Sequence, residues 1–152
     1  MDSKNSDFDV LIVGAGISGI GMAAHLEMHC PEKSYAIVEM RERLGGTWDL
    51  FRYPGVRSDS DMHTLGFEFE PWRHEKSIAD GPAILDYLDR IVDERGIREH
   101  IRFGMRVETA DFDSDSARWI VTIATDQGER KRLTANWLYL GSGYYDYDEP
   151  YD

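Results

Sequence analysis

The chain has a single cysteine, Cys30, in 152 residues, so neither an intrachain disulfide nor a multi-cysteine metal site can form. Positive charge is scarce as well. Seventeen Lys and Arg stand against 29 Asp and Glu, a net charge of -12. A surface of that sign repels nucleic-acid backbones and anionic headgroups, which argues against both as partners. Long apolar runs are missing. The longest uncharged stretch, residues 10–24, is glycine-rich and falls short of the roughly 20 apolar residues a membrane span needs. Residues 1–9 hold three Asp and one Lys, unlike the basic start and apolar core of a secretory signal. There are no internal repeats and no low-complexity linker. These absences, with the lone thiol, lead us to expect a cytoplasmic protein.

The length suits one domain, and 41% hydrophobic with 12% aromatic residues is enough for a packed core. Phe8–Val13 predicts a buried strand, Ile17–His29 a helix stopped by Pro31, and Tyr35–Val38 a second strand. Strand, helix and strand within about 30 residues is the length of one parallel βαβ unit. Residues 41–72 are rich in Gly, Pro, Asp and aromatics and show no period; a long irregular stretch of this kind is usually functional. Asp80 is positioned to cap a helix over residues 82–95, with Ile84, Leu88, Ile91 and Val92 on one stripe and Gly96 as the stop. The pattern turns strand-like from Ile101. Residues 107–112, 119–124 and 130–133 alternate around turn residues and predict an antiparallel meander, and residues 137–140 a last strand before Gly141-Ser142-Gly143. An acidic, aromatic tail follows. The expected fold is α/β: a Rossmann-like βαβ unit with a parallel sheet and an inserted antiparallel β-meander at about 105–134.

Gly14-Ala15-Gly16-Ile17-Ser18-Gly19 lies between a strand and a helix, the context a Gly-x-Gly-x-x-Gly needs to bind a dinucleotide. Gly14 permits the tight turn, Gly16 lets a pyrophosphate reach the backbone, and Gly19 lets helix and strand pack closely. The helix N-terminus offers open N–H groups, and Ser18 can add a hydroxyl. Glu39 ends the second strand 20 residues after Gly19, where a carboxylate accepts from a ribose 2′-OH and repels a 2′-phosphate. This first site therefore favours FAD or NAD over NADP. Gly45-Gly46-Thr47-Trp48 follows; its glycines allow close backbone approach, and Trp48 either covers a planar ring or fills core. In the run from Arg52 to Asp61, Pro54-Gly55 forms a turn flanked by Arg57 and Asp59. Those charges are either a solvated pair or buried and paired beside a cofactor. His25 and His29 have the spacing of a zinc pair but no adjacent acid and no third ligand, so we expect no metal site.

Taken together, Gly14-x-Gly-x-x-Gly19, Glu39, Gly45-Gly-Thr-Trp48 and Arg52-Tyr-Pro-Gly-Val-Arg-Ser-Asp59 resemble the flavin-dependent Baeyer–Villiger monooxygenases. Asp49-Leu-Phe-Arg-Tyr-Pro-Gly, Ser58-Asp-Ser-Asp-Met62 and Ser142-Gly-Tyr-Tyr145 are similar to the branch that includes the mycobacterial ethionamide-activating enzyme. The resemblance implies that Gly14, Gly16, Ser18 and Gly19 hold the FAD pyrophosphate and Glu39 the adenosine ribose. Gly46, Thr47, Trp48, Asp49 and Leu50 would run beside the flavin, and Val107 would meet the adenine end through its backbone. Arg57, Ser58 and Asp59 would border both FAD and NADPH, with Asp59 positioning a catalytic arginine. The implied chemistry uses NADPH and O2 to turn a ketone into an ester or lactone, or to oxidise a sulfide. Family members carry a second dinucleotide motif and a fingerprint that do not occur here, so the resemblance also implies the N-terminal part of such an enzyme, without the NADPH-binding domain and inactive alone. Other readings stay open: a FAD- or NAD-binding module without catalysis, an N- or S-oxygenating flavin monooxygenase, or an NAD-dependent dehydrogenase. The last does not account for Gly45-Gly46-Thr47-Trp48.

Overall fold

The computed structural model describes residues 6–144; residues 145–152 of the acidic tail lie outside that range. Six strands form one sheet in the order β3-β2-β1-β6-β5-β4. β1 (Phe8–Val13), β2 (Tyr35–Val38), β3 (Ile101–Arg102) and the second half of β6 (Arg130–Leu140) are parallel. β4 (Met105–Asp113) and β5 (Arg118–Thr125) continue the sheet antiparallel. The α/β arrangement with its meander is the one expected from the pattern of elements.

Helix α1 (Ile17–His29) connects β1 to β2. It ends where Pro31 forbids another turn, with the Cys30 N–H donating to the Leu26 carbonyl. Helix α4 (Gly81–Glu94) buries Ile84, Leu88, Ile91 and Val92, and Gly96 follows its end in the left-handed region, φ 68°. These helices cover one face of the sheet, where Val10, Ile12, Tyr35, Ile37 and Ile101 meet Ile20, Ala24, Ile84 and Leu88. The other face is covered by the meander, whose Val121 and Ile123 pack with Leu11, Ala36 and Val38. Both faces of β1 and β2 are therefore buried, which is why they read as continuous apolar runs rather than alternating ones.

Two local expectations change. Residues 130–133 and 137–140 are not separate strands but one, β6. No glycine or proline interrupts it, and buried Ala135 is the pivot: it pairs antiparallel with Trp119 and parallel with Phe8. Asp80 does sit at the N-cap of α4, yet its side chain makes no cap bond. Its carboxylate is taken by Lys76, Nζ to Oδ2 3.2 Å. Residues 41–72 are largely irregular, as expected, with two single-turn helices, α2 (Thr47–Leu50) and α3 (Met62–Leu65). α3 is capped by Asp61, which accepts from the Thr64 N–H at 3.0 Å.

Candidate functional site

The site is built where β1 turns into α1. Gly14 adopts φ 97°, and its N–H donates to the Val38 carbonyl at 2.8 Å, tying the turn to the end of β2. The end of β6 closes from the other side, with Gly141 N–H donating to Val13 O at 2.8 Å. A Cβ on Gly14 would lie 2.5 Å from the Gly141 carbonyl oxygen, and one on Gly19 only 1.9 Å from the Gly14 carbonyl oxygen. Both glycines are thus demanded by the protein itself. Gly16 differs: a Cβ there would meet nothing nearer than Gly46 Cα at 3.6 Å. It is the N-cap of α1 and no side chain caps the helix, so the first-turn N–H groups remain donors for an incoming acceptor.

Glu39 faces this turn from the end of β2. It is 6% exposed; Oε2 accepts from the Ala15 N–H at 2.8 Å and Oε1 from the Arg41 N–H at 3.0 Å. A carboxylate oxygen has two lone pairs, so both oxygens can still accept a hydroxyl. The second glycine pair docks against the first, with Gly45 N–H donating to Ala15 O at 2.9 Å. Gly14, Gly16, Gly19, Glu39 and Gly46 are therefore assembled in one place, as the spacing requires.

The remaining expected residues are placed unevenly. Thr47, Trp48, Asp49 and Leu50 form α2, whose N-cap is Gly46 at φ 53°. Thr47 and Leu50 are exposed, and Trp48 is half-buried against the core. The Ser18 hydroxyl lies 3.0 Å from the Tyr139 hydroxyl on β6. Ser58 points inward: it is 1% exposed, and its Oγ accepts from the Ala79 N–H at 3.0 Å. Arg57 is exposed beside a β-bridge to Asp80. Asp59 is exposed as well, with Ser60 donating to it at 3.5 Å. Val107 lies at an irregularity of the β4–β5 ladder, its side chain packed under the sheet.

Asp49 has an unforeseen role. It is 3% exposed, and one carboxylate takes three guanidiniums: Arg41 at 2.5 Å, Arg43 at 2.9 Å and Arg52 at 2.7 Å. Burial pushes the carboxyl up, but Arg43 and Arg52, then Arg41, outweigh it and hold the group below the usual carboxylate range. Only the Asp49-x-x-Arg52 spacing hinted at this; Arg41 and Arg43 arrive through the irregular segment.

A carboxyl whose pKa falls on folding contributes its full stability above the unfolded value and loses it as pH drops through the folded one. We therefore expect the thermal midpoint to fall on acidification below about pH 4, and Asp49→Asn to flatten that fall. Parallel melting curves for the two proteins across that window would remove Asp49 as the cause.

Residues 12–90 match the family of NAD(P)-binding Rossmann-like domains. The chain belongs to that family. It is 57% identical over 144 residues to the FAD-containing monooxygenase EthA of Mycolicibacterium smegmatis, covering 95% of this chain and 29% of the relative. It is 51% identical over 148 residues to the putative FAD-containing monooxygenase MymA of Mycobacterium tuberculosis, covering 97% and 30%. Among solved structures, OTEMO in complex with FAD and NADP superposes with a TM-score of 0.79 at 30% identity, over 94% of this chain and 27% of that one. The chain thus spans less than a third of the length of the relatives it matches, and the resemblance read from its motifs extends to FAD-containing monooxygenases. No described helix is long and apolar enough to cross a membrane.

Proposed function

We propose that this Rossmann-like domain binds FAD as part of an NADPH- and O2-dependent monooxygenase of the Baeyer–Villiger type, acting on ketones to give esters or lactones and on sulfides. The observation that carries the reading is the turn at Gly16. An uncapped helix N-terminus, a glycine packed only against a second glycine, Gly46, and a buried carboxylate with unused lone pairs together fit the two ends of an ADP moiety. The relatives named FAD-containing monooxygenases support FAD over NAD as the occupant.

In this reading the first-turn N–H groups of α1 hold the pyrophosphate, and Glu39 orients the adenosine ribose while keeping Ala15 in place. Gly46 brings α2 alongside, so Trp48 shields the site from water. Bound FAD supplies the redox chemistry that couples NADPH oxidation to oxygen insertion. Asp59 is assigned to positioning a catalytic arginine, and among the described residues no cation is bonded to it. The chain by itself is accordingly expected to bind FAD without consuming NADPH when a ketone is added. We assign the whole to the cytoplasm, where reduced nicotinamide nucleotides are supplied.

Titration with FAD, followed by flavin fluorescence, tests the reading. We expect saturable quenching that excess ADP reverses. Quenching by neither FAD nor ADP competition would overturn it, and tighter binding of NAD than of FAD would favour the second reading, a nicotinamide-binding module, which the family description supports.

A further inference from the structure

Trp48, which follows the second glycine pair, also lines a concavity. A cleft of about 530 Å3 opens between the Arg52–Val56 turn and α4, within the usual size range of small-molecule sites. Its walls are mainly apolar, formed by Trp48, Phe51, Tyr53, Val56, Pro82 and Leu85. Of the residues assigned above to the dinucleotide, only Trp48 lines it.

Two charged side chains reach this cleft, Arg52 and Asp80, and they are not equivalent. Asp80 is neutralised by Lys76. Arg52 shares the single carboxylate of Asp49 with Arg41 and Arg43, so positive charge is left over. Its Nε donates to the Asp49 carbonyl oxygen at 3.1 Å and its Nη2 to the carboxylate at 2.7 Å. A guanidinium has five N–H donors, and the side chain is 62% exposed. Donors therefore remain on the cleft wall, already oriented by Asp49.

A neutral apolar ligand in this cleft would strip water from Arg52 and return nothing. A ligand ending in a carboxylate would replace that water with charge-assisted, forked hydrogen bonds. We propose that the cleft binds an organic anion, with an aromatic or aliphatic body against Trp48, Tyr53 and Leu85 and a carboxylate on Arg52.

The test uses 2-naphthoate and its neutral isostere 2-naphthamide, titrated calorimetrically into the 152-residue chain with and without ADP. The acid is expected to bind at least tenfold tighter than the amide. Arg52→Gln is expected to abolish that preference while Arg41 and Arg43 still hold Asp49. Tyr53→Ala, at an exposed ring, is expected to weaken both ligands. ADP is expected to leave the naphthoate affinity unchanged. Equal affinities for acid and amide, no effect of Arg52→Gln, or displacement by ADP would each overturn the proposal. If Arg52→Gln does not fold, the acid-to-amide ratio of the unaltered chain at low and high salt still decides, since a guanidinium contact must weaken as salt rises. A chain that fails to bind ADP leaves the acid and amide comparison intact, so this proposal and the dinucleotide reading fail separately.

Discussion

Gly19→Ala is expected to prevent folding, whereas Gly16→Val is expected to fold and lose FAD. The two glycines belong to one motif but answer to different neighbours. At Gly19 the added Cβ would stand 1.9 Å from a backbone carbonyl oxygen, which cannot rotate away. Helix α1 would have to lift off the β1 turn. Alanine normally gains about 1 kcal/mol over glycine inside a helix, but a forced backbone separation in a packed core costs on the order of 4 kcal/mol or more. That is a large share of the roughly 5–15 kcal/mol that holds a domain folded. At Gly16 the backbone is extended, φ -84° and ψ -172°, which valine adopts readily, and the added Cβ would make only an ordinary van der Waals contact with Gly46 Cα at 3.6 Å. Circular dichroism melts and FAD titrations separate the cases. Gly16→Val should keep the midpoint within a few degrees and weaken FAD at least tenfold, or about 1.4 kcal/mol. Full FAD affinity in Gly16→Val would mean that the pyrophosphate does not approach there.

The second large effect is at Glu39, and it has two parts. Without ligand, Glu39→Ala leaves the Ala15 N–H, in a fully buried residue, with no acceptor. That costs about 1–3 kcal/mol of stability. With ligand, the ribose loses its acceptor as well, so FAD affinity should drop by a further 10- to 100-fold, about 1.4–2.8 kcal/mol. Glu39→Gln keeps one oxygen but turns the other into a donor facing N–H donors, so an intermediate loss is expected. Denaturant melts of the free protein measure the first part and fluorescence titration the second. A destabilised variant that binds FAD at the original affinity would make Glu39 a support for the turn and nothing more.

How much of this was legible beforehand follows from the range of the forces involved. β1, α1 and β2 were bounded correctly because their signals are local: an apolar run, a glycine turn, a proline stop. Glu39 could be placed because a strand end and a fixed spacing determine where its side chain emerges. β6 reads as two strands because polar Thr134 and Asn136 separate the apolar ends at Leu133 and Trp137, and only the tertiary pairing with both β5 and β1 reveals one strand. Asp80 has the right residue type for a cap, but Lys76, four residues earlier in the loop, competes for its carboxylate. The family resemblance places Ser58 beside the cofactors, and nothing in the local pattern shows that its hydroxyl also accepts from the Ala79 N–H inside the fold. The guanidinium cluster was the least visible. Arg41 and Arg43 reach Asp49 only because residues 41–46 lie across α2, and no period in the sequence encodes that path.

The central place of β1 bears on how the chain matures. Its partner on one side, β2, follows within a few dozen residues, but its partner on the other joins Phe8 to Ala135. A ribosome releasing the chain from the N-terminus would expose one bare edge of the innermost strand until the segment around Ala135 had emerged. Such distant pairing is slow to form and open to mispairing in the interval. This part of the nascent protein should therefore acquire protease resistance abruptly, when β6 slots in, rather than in proportion to its length.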